Sequence, residues 1–342
     1  MDLSTNYLGI KLKNPVIVGS SGLTGSVKKI QSIDKNKAGA VILKSIFEEE
    51  IAFEFTDFIE KESKKGSPPK YFEYDGKMNP IEFYNYKIRE KNLKQYIQLI
   101  KESKDCVLIP VIASINCCHN SLEWISYAKQ IEEAGADAIE LNMFFLPSNF
   151  SKTKEETQAI YFKIIDEILK TVSIPVSLKI SYYFADLGPM IKRLSESGIK
   201  GIVLFNRFFS LDFDIDTFEV KPSFVLSSPS DLSISLRWIS IMANRVACDL
   251  CASTGVHNSK ALIKQILAGA DAVQIVSCLY NNNLSYIETL LNELETWMHN
   301  KGYKTIDDFK GKMSQSKSHN PSLYERAQFM KYFGKKEFKT KT

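Results

Sequence analysis

No apolar run in the chain reaches the ~18 residues that a bilayer-crossing helix needs. The N-terminal MDLSTNYLGIKLKN has neither the basic region nor the apolar stretch of a secretory signal. Cysteine is sparse, and Cys106, Cys117, Cys118, Cys248, Cys251 and Cys278 mostly sit inside apolar runs, not at framework spacing. Reduced thiols and a cytoplasmic location are therefore expected. Cys248 and Cys251 form a lone CxxC with no second pair to complete a zinc site, and on a strand they would face opposite ways. No cysteine cluster has iron–sulfur spacing, so electrons would leave through a small acceptor or a partner. Charge of one sign is missing too: the net charge is +4, and much of it lies in the terminal KKEFKTKT. That tail reads as a solvated end, and no nucleic-acid partner is expected. No GxGxxG follows the first apolar run, which argues against a dinucleotide-binding Rossmann domain.

What is present is an alternation. Short apolar runs at 15–21, 40–46, 107–116, 138–144, 175–181, 201–207, 248–254 and 272–278 alternate with amphipathic helical patterns. The helical patterns cover 27–37, 81–104, 122–133, 154–172, 187–197, 234–244, 259–267 and 286–299. Runs that are apolar throughout and bounded by turn residues are the mark of parallel strands buried on both faces. Several helices end in a small-residue turn (KAGA, EAGADA, ESGIKG, AGADA) that leads straight into the next strand. Eight such units predict an α/β fold, a closed (β/α)8 TIM barrel. LSTNYLGIKLKN predicts an N-terminal hairpin closing the bottom of the barrel. Residues 47–80 and 208–232 are insertions after strands two and six, on the face where barrel enzymes place their sites, and both read as lids. The expected organisation is a barrel over 1–302 and an extension over 303–342, packed on the barrel or partly disordered.

Polar residues at strand ends on this fold are read first as ligands. Lys44 and Ser45 end the second run, Ser114 and Asn116 the third, and Asn142 the fourth. Lys179 lies in the fifth run and Asn206 ends the sixth. A buried lysine is costly unless it meets an anion or a hydrogen-bonding partner. Two lysines converging with three amides on one mouth predict a polar ligand site. Ser253-Thr254-Gly255, before a helix capped by Asn258 or Ser259, and Ser277 after the eighth strand have the character of a phosphate-binding pair of loops. His257 reads as a local hydrogen-bonding residue, with a catalytic acid or base as the alternative.

NPVIVGSSGLTG, GAVILKS, PVIASI, AIELN, IPVSLKIS and CASTGV…AGADAVQIVS, in that order over residues 8 to 300, resemble the dihydroorotate dehydrogenase family of flavin-dependent barrels. The resemblance implies FMN at the mouth and hydride exchange with a small substrate, dihydroorotate to orotate in pyrimidine biosynthesis. It implies that Ser20, Ser21 and Gly22 lie along the flavin, with Lys44 and Ser45 at its edge. Ser114 and Asn142 would bond flavin or substrate. Lys179 would sit at the N1/O2 edge, and Lys179 and Asn142 would carry the catalytic roles. Lys44 and Asn206 would contact substrate, and Gly255 and Ser277 would hold the ribityl phosphate. Partners implied are a small-molecule substrate, an electron acceptor and a second copy in a homodimer.

The chain departs from the family pattern in four places. Where the family places a Cys or Ser base after the fourth strand, LNMFFLP puts Phe145. Ser148, Cys117 and Cys118 are the candidate replacements, and Phe144 and Phe145 read as apolar cover over the flavin. Ala252, Thr254 and Val276 stand where the phosphate loops would have glycine. The family's substrate loop is not recognisable in KKGSPPKYFEYDGKMNP, and FNRFFS adds Arg207. Two alternatives follow: a flavin- or ligand-binding barrel without turnover, and a lyase or aldolase using Lys179 as a Schiff-base nucleophile.

Overall fold

A computed structural model of the protein describes residues 1–47, 80–117, 123–207 and 210–325. The chain opens with β1 (Thr5–Tyr7) and β2 (Ile10–Leu12), an antiparallel hairpin. Its two-residue turn needs positive φ at both positions; Leu8 has φ 59° and Gly9 φ 75°. The barrel strands follow: β3 (Val16–Val18), β4 (Ala40–Ile42), β6 (Val111–Cys117), β7 (Ala138–Met143), β8 (Val176–Ile180), β9 (Gly201–Leu204), β12 (Asp249–Ser253) and β13 (Ala272–Ile275). All are parallel, in the order β4-β3-β13-β12-β9-β8-β7-β6, and pairing of β4 with β6 closes the ring. The (β/α)8 expectation holds. A short β5 (Ile46–Phe47) resumes the second strand after a break at 43–45 and rejoins β6.

Each strand must be apolar on both faces because each face meets a different core. Val16, Val18, Ile139 and Leu141 point outward and pack against the helices. Ile17, Ile42, Ile112, Ala138, Val203 and Cys251 point inward and fill the lower barrel. Tyr7, Leu8 and Leu12 of the hairpin complete that inner cluster from below. Their pressure explains Gly201 at the foot of β9: a Cβ there would lie 2.5 Å from Leu8 Cδ2 and 3.1 Å from Tyr7 Cε2. Asp249 ties the plug down by accepting a 2.7 Å hydrogen bond from the Leu8 N–H.

The helices are α1 (Val27–Lys35), α2 (Pro80–Cys106), α3 (Glu123–Glu133), α4 (Lys154–Thr171), α5 (Leu187–Ser195), α6 (Leu232–Met242), α7 (Ser259–Ala268), α8 (Ser277–Asn281), α9 (Tyr286–Lys301) and α10 (Ser322–Glu325). No described helix is long and apolar enough to cross a membrane. Of the two predicted cap candidates for α7, Asn258 does the work, accepting from the Ala261 N–H. The sequence pattern carries the last strand to Cys278, but β13 stops at Ile275 and α8 starts at Ser277. A short apolar run does not by itself distinguish strand from helix.

Most of the insertion after strand two lies outside the described residues. The insertion after strand six contains an antiparallel ribbon, β10 (Leu211–Phe213) with β11 (Val220–Pro222). Beyond α9, Ile306 and Phe309 are fully buried. Gly311 N–H and Met313 N–H donate to Ile266 O and Leu267 O at 2.9 and 2.7 Å.

Candidate active site

The C-terminal ends of the strands surround a cavity of about 490 Å³. Ser20, Ser21, Lys179, Asn206 and Ser277, all singled out in the sequence, line it together. Apolar walls come from Val225, Val256, Ile275 and Val276, and Tyr280 closes one end. A second cavity of about 430 Å³ adjoins it, walled by Leu146, Tyr182, Tyr183, Phe205 and Ile234. Asn206, Arg207, Ser253 and Thr254 line both cavities. Asn206 Nδ2 donates to Asn142 Oδ1 at 2.9 Å, so the fourth and sixth strand ends are joined across the mouth. The Arg207 guanidinium donates to the carbonyls of Val225 (2.8 Å) and Phe224 (2.6 Å), which fixes that segment at the rim.

The break between β4 and β5 creates the serine side of the site. Ser45 N–H donates to Ser20 Oγ at 2.9 Å, and the hydroxyls of Ser20, Ser45 and Ser114 form a chain with steps of 2.9 and 2.8 Å. Ser45 and Ser114 are buried behind Ser20 and do not line the cavity. Ser114 pairs with Glu140 of β7, but the same break leaves its backbone without a partner on the β4 side, and Tyr96 of α2 supplies one. Its hydroxyl accepts from Ser114 N–H (2.7 Å) and donates to Ser114 O (3.1 Å). Burial pushes the Tyr96 phenol well above its ordinary range, so it stays a neutral donor and acceptor. Lys44 is half-buried beside Gly25, and Gly22 opens a short helix where an added Cβ would lie 2.8 Å from Tyr280 Oη.

At the floor lie three buried polar side chains, two of which the sequence reading did not select. Lys179 Nζ donates to Gln274 Oε1 at 2.8 Å, and Gln274 Nε2 donates to Glu140 Oε2 at 2.6 Å. Glu140 Oε1 lies 3.8 Å from Lys179 Nζ and has no hydrogen-bond partner. The available signal was alternation: Glu140 shares a strand face with Asn142, and Gln274 interrupts an apolar strand.

At the phosphate end, Gly255 (φ 79°) is required by packing, because a Cβ would meet Leu232 N at 2.1 Å. Its N–H donates to Ser227 Oγ at 3.4 Å, and Ser227 N–H donates to Ser277 Oγ at 3.0 Å. His257 Nε2 is 3.2 Å from Ser227 Oγ, a local contact. Gly255 itself does not line the cavity.

Phe145 stands edge-on to Tyr161 of α4, ring centroids 5.1 Å apart, in the layer between barrel and helices. It lines neither mouth cavity; its neighbour Leu146 lines the second. Ser148 is exposed and lines neither. The Cys117 side chain and Cys118 lie outside the described residues. The CxxC does not form a pair: Cys251 faces the barrel interior and Cys248 the helix layer. Burial pushes the Cys248 thiol up to about 12 and raises that of Cys251 well above the ordinary range. Among the described residues no group of three or more His, Cys, Asp or Glu could hold a metal ion.

The donor set suits a flavin nucleotide: a cation on the floor, hydroxyls at the rim, apolar walls, and a serine-rich end. A closed parallel barrel with a polar mouth at the C-terminal ends of its strands defines a class, the (β/α)8-barrel enzymes. The dihydroorotate dehydrogenase family model matches residues 2–298, and the chain belongs to that family, whose members are flavoproteins acting on a CH–CH group. It is 26% identical to the catalytic subunit of dihydroorotate dehydrogenase B (NAD(+)) from Thermoplasma acidophilum over 316 residues, covering 91% of this chain and 98% of that one. The Thermoplasma volcanium counterpart is 27% identical over the same length. The chloroplastic dihydropyrimidine dehydrogenase (NADP(+)) of Arabidopsis thaliana is 24% identical, covering 95% of this chain and 80% of that one.

Proposed function

We propose that the mouth binds FMN and that the protein exchanges a hydride between FMN and a CH–CH bond of a small, planar, unsaturated or saturable substrate. The observation that carries this is the Lys179 ammonium, held by Gln274 at the floor of a cavity with serine hydroxyls at its rim. FMN supplies the hydride-accepting ring when bound. Lys179 would lie at the N1/O2 edge and stabilise the negative charge left there. Ser20 and Ser21 would line the ring, with Gly22, Lys44, Ser45 and Ser114 supporting its edge. Asn142 orients Asn206, and Asn206, common to both cavities, would touch substrate; Lys44, which lines neither of these cavities, would join it from the edge. Ser277 and the Gly255 backbone would face the phosphate, sharing it with Ser227. The cofactor-binding unit would be residues 1–302, with 303–342 as its extension. A cytoplasmic location, supported by the free thiols of Cys106, Cys248, Cys251 and Cys278, belongs to the same reading. So does a homodimer, which sedimentation tests.

Phe145 bears on the substrate. A positioned general base contributes ~100- to 10,000-fold, and the Phe145 ring neither accepts protons nor faces the mouth. Purified protein is expected to take up FMN one to one. Anaerobic reduction by dihydroorotate is expected at least ~100-fold slower than in a relative with a Cys or Ser base. A faster member of a panel of dihydropyrimidines and enoates would identify the substrate. Protein that takes up no FMN refutes the cofactor, and rapid dihydroorotate oxidation refutes the absence of a base. The same Phe145 favours, as a second reading, a flavin-binding barrel without turnover; FMN uptake with no reduction by any of the panel would select it.

A further inference from the structure

Lys179, Gln274 and Glu140 make a three-membered array with an unusual spacing. A buried ammonium and carboxylate attract strongly, and a charge-assisted contact pair closes to ~2.7–2.9 Å. Here Lys179 Nζ and Glu140 Oε1 stand 3.8 Å apart, although both are buried. The side chain between them is Gln274, whose amide can serve both partners in only one orientation: its oxygen to the ammonium and its nitrogen to the carboxylate. Lys179 and Gln274 line the 490 Å³ cavity and Glu140 does not. A polar layer built only for its own satisfaction would not leave a buried carboxylate oxygen without a hydrogen bond, yet Glu140 Oε1 has none.

We propose that Gln274 is a spacer that keeps the Lys179 ammonium from closing on Glu140, so that its positive charge is presented to the ring bound in the cavity. Glu140 is the anchor that fixes the amide. Both are positioning residues acting through Lys179. The proposal rests on the reading that FMN occupies this cavity, and it adds what sets the strength of the cation that FMN meets.

The test is a potentiometric titration of the FMN-loaded protein at one pH, with binding of oxidised FMN measured in parallel. In Gln274→Leu the lysine collapses onto Glu140 and withdraws from the cavity. Preference for reduced over oxidised FMN falls at least about tenfold, which is ~30 mV for a two-electron couple. Glu140→Gln removes the opposing charge and shifts the preference the other way. The double variant Glu140→Gln with Gln274→Leu returns to the wild-type preference or above it, because no carboxylate remains to draw the lysine back. This reversal is specific: a merely structural role makes the double variant at least as impaired as the worse single one. An unchanged potential in Gln274→Leu, or a double variant as low as Gln274→Leu, overturns the proposal. Should Gln274→Leu not fold, Glu140→Gln decides alone, and a potential that stays or falls overturns the spacer. A crystal structure of Gln274→Leu without cofactor separates the two readings. Closure of the 3.8 Å gap supports the spacer even where wild-type protein takes up no FMN, and an unclosed gap refutes it.

Discussion

Phe145 and Tyr161 meet with ring planes 84° apart, in the edge-to-face geometry that aromatic pairs prefer. A base cannot be restored there by substitution alone. Phe145→Ser is expected to cost about 2 kcal/mol of stability, since a half-buried ring is lost from the helix layer, and to leave dihydroorotate oxidation where it was. Chemical denaturation and stopped-flow reduction check the two halves, and a large gain in rate would show that residue 145 reaches the mouth. Asn142 and Asn206 could be picked out in the sequence because each is polar near the end of an apolar run, Lys179 because it is a charge inside one, and Ser20 through the family resemblance; the fold brings the strand ends together. Glu140 and Gln274 stood in equally plain view. What the sequence hides is their partnership, because 134 residues separate them and only barrel closure brings them into contact. Tyr96 is hidden more deeply. It sits on a helix, and its task arises from a gap in a strand elsewhere.

The helical and strand periods located every barrel strand and its following helix, with ends displaced by a few residues. Loops were less legible, because their structure depends on what they meet: Ser227 is held by Gly255, His257 and Ser277, three partners from two other strand ends. Local anchoring of this kind gives a pH signature where α3 meets the turn into β8. Glu132 accepts from Lys129, from Ser173 Oγ and N–H at 2.6 Å, and from Ile174 N–H at 3.2 Å. These bonds, that to Lys129 first, hold its carboxyl down at about 2. A carboxyl lowered in the folded state stabilises the fold above its unfolded value and ceases to do so as pH falls through the folded one. The gap in thermal stability between wild type and Glu132→Gln is therefore expected to be widest near neutrality and to close between about 4.5 and about 2. A gap that is constant across that range would mean the contacts do not form.

At the scale of the molecule, the α/β barrel was legible because eight repeats of one pattern leave few other closed arrangements. The role of the chain after α9 was not, since a polar segment carrying only a few large apolar residues gives no periodic signal. Ile306 and Phe309 are fully buried, Phe309 between Trp297 and Tyr303, and Lys310 pairs with Asp271 at 2.9 Å. Truncation after Lys301 is expected to lower stability by several kcal/mol, since two large buried side chains are lost together with the backbone bonds to α7. Denaturant titration of the shortened chain checks this, and an unchanged midpoint would assign the segment a purely peripheral place.

The pairing of β13 with β3 sets Val273 against Val16 and Ile275 against Val18. The first barrel strand to leave the ribosome thus waits for the last. Until residue 275 has been synthesised, the growing sheet has two open edges and an unfilled interior, and until residue 249 the N-terminal plug lacks the Asp249 that holds it. Such long-range closure makes for slow folding, and the interval in which the nascent chain is exposed to misassociation spans most of its own synthesis.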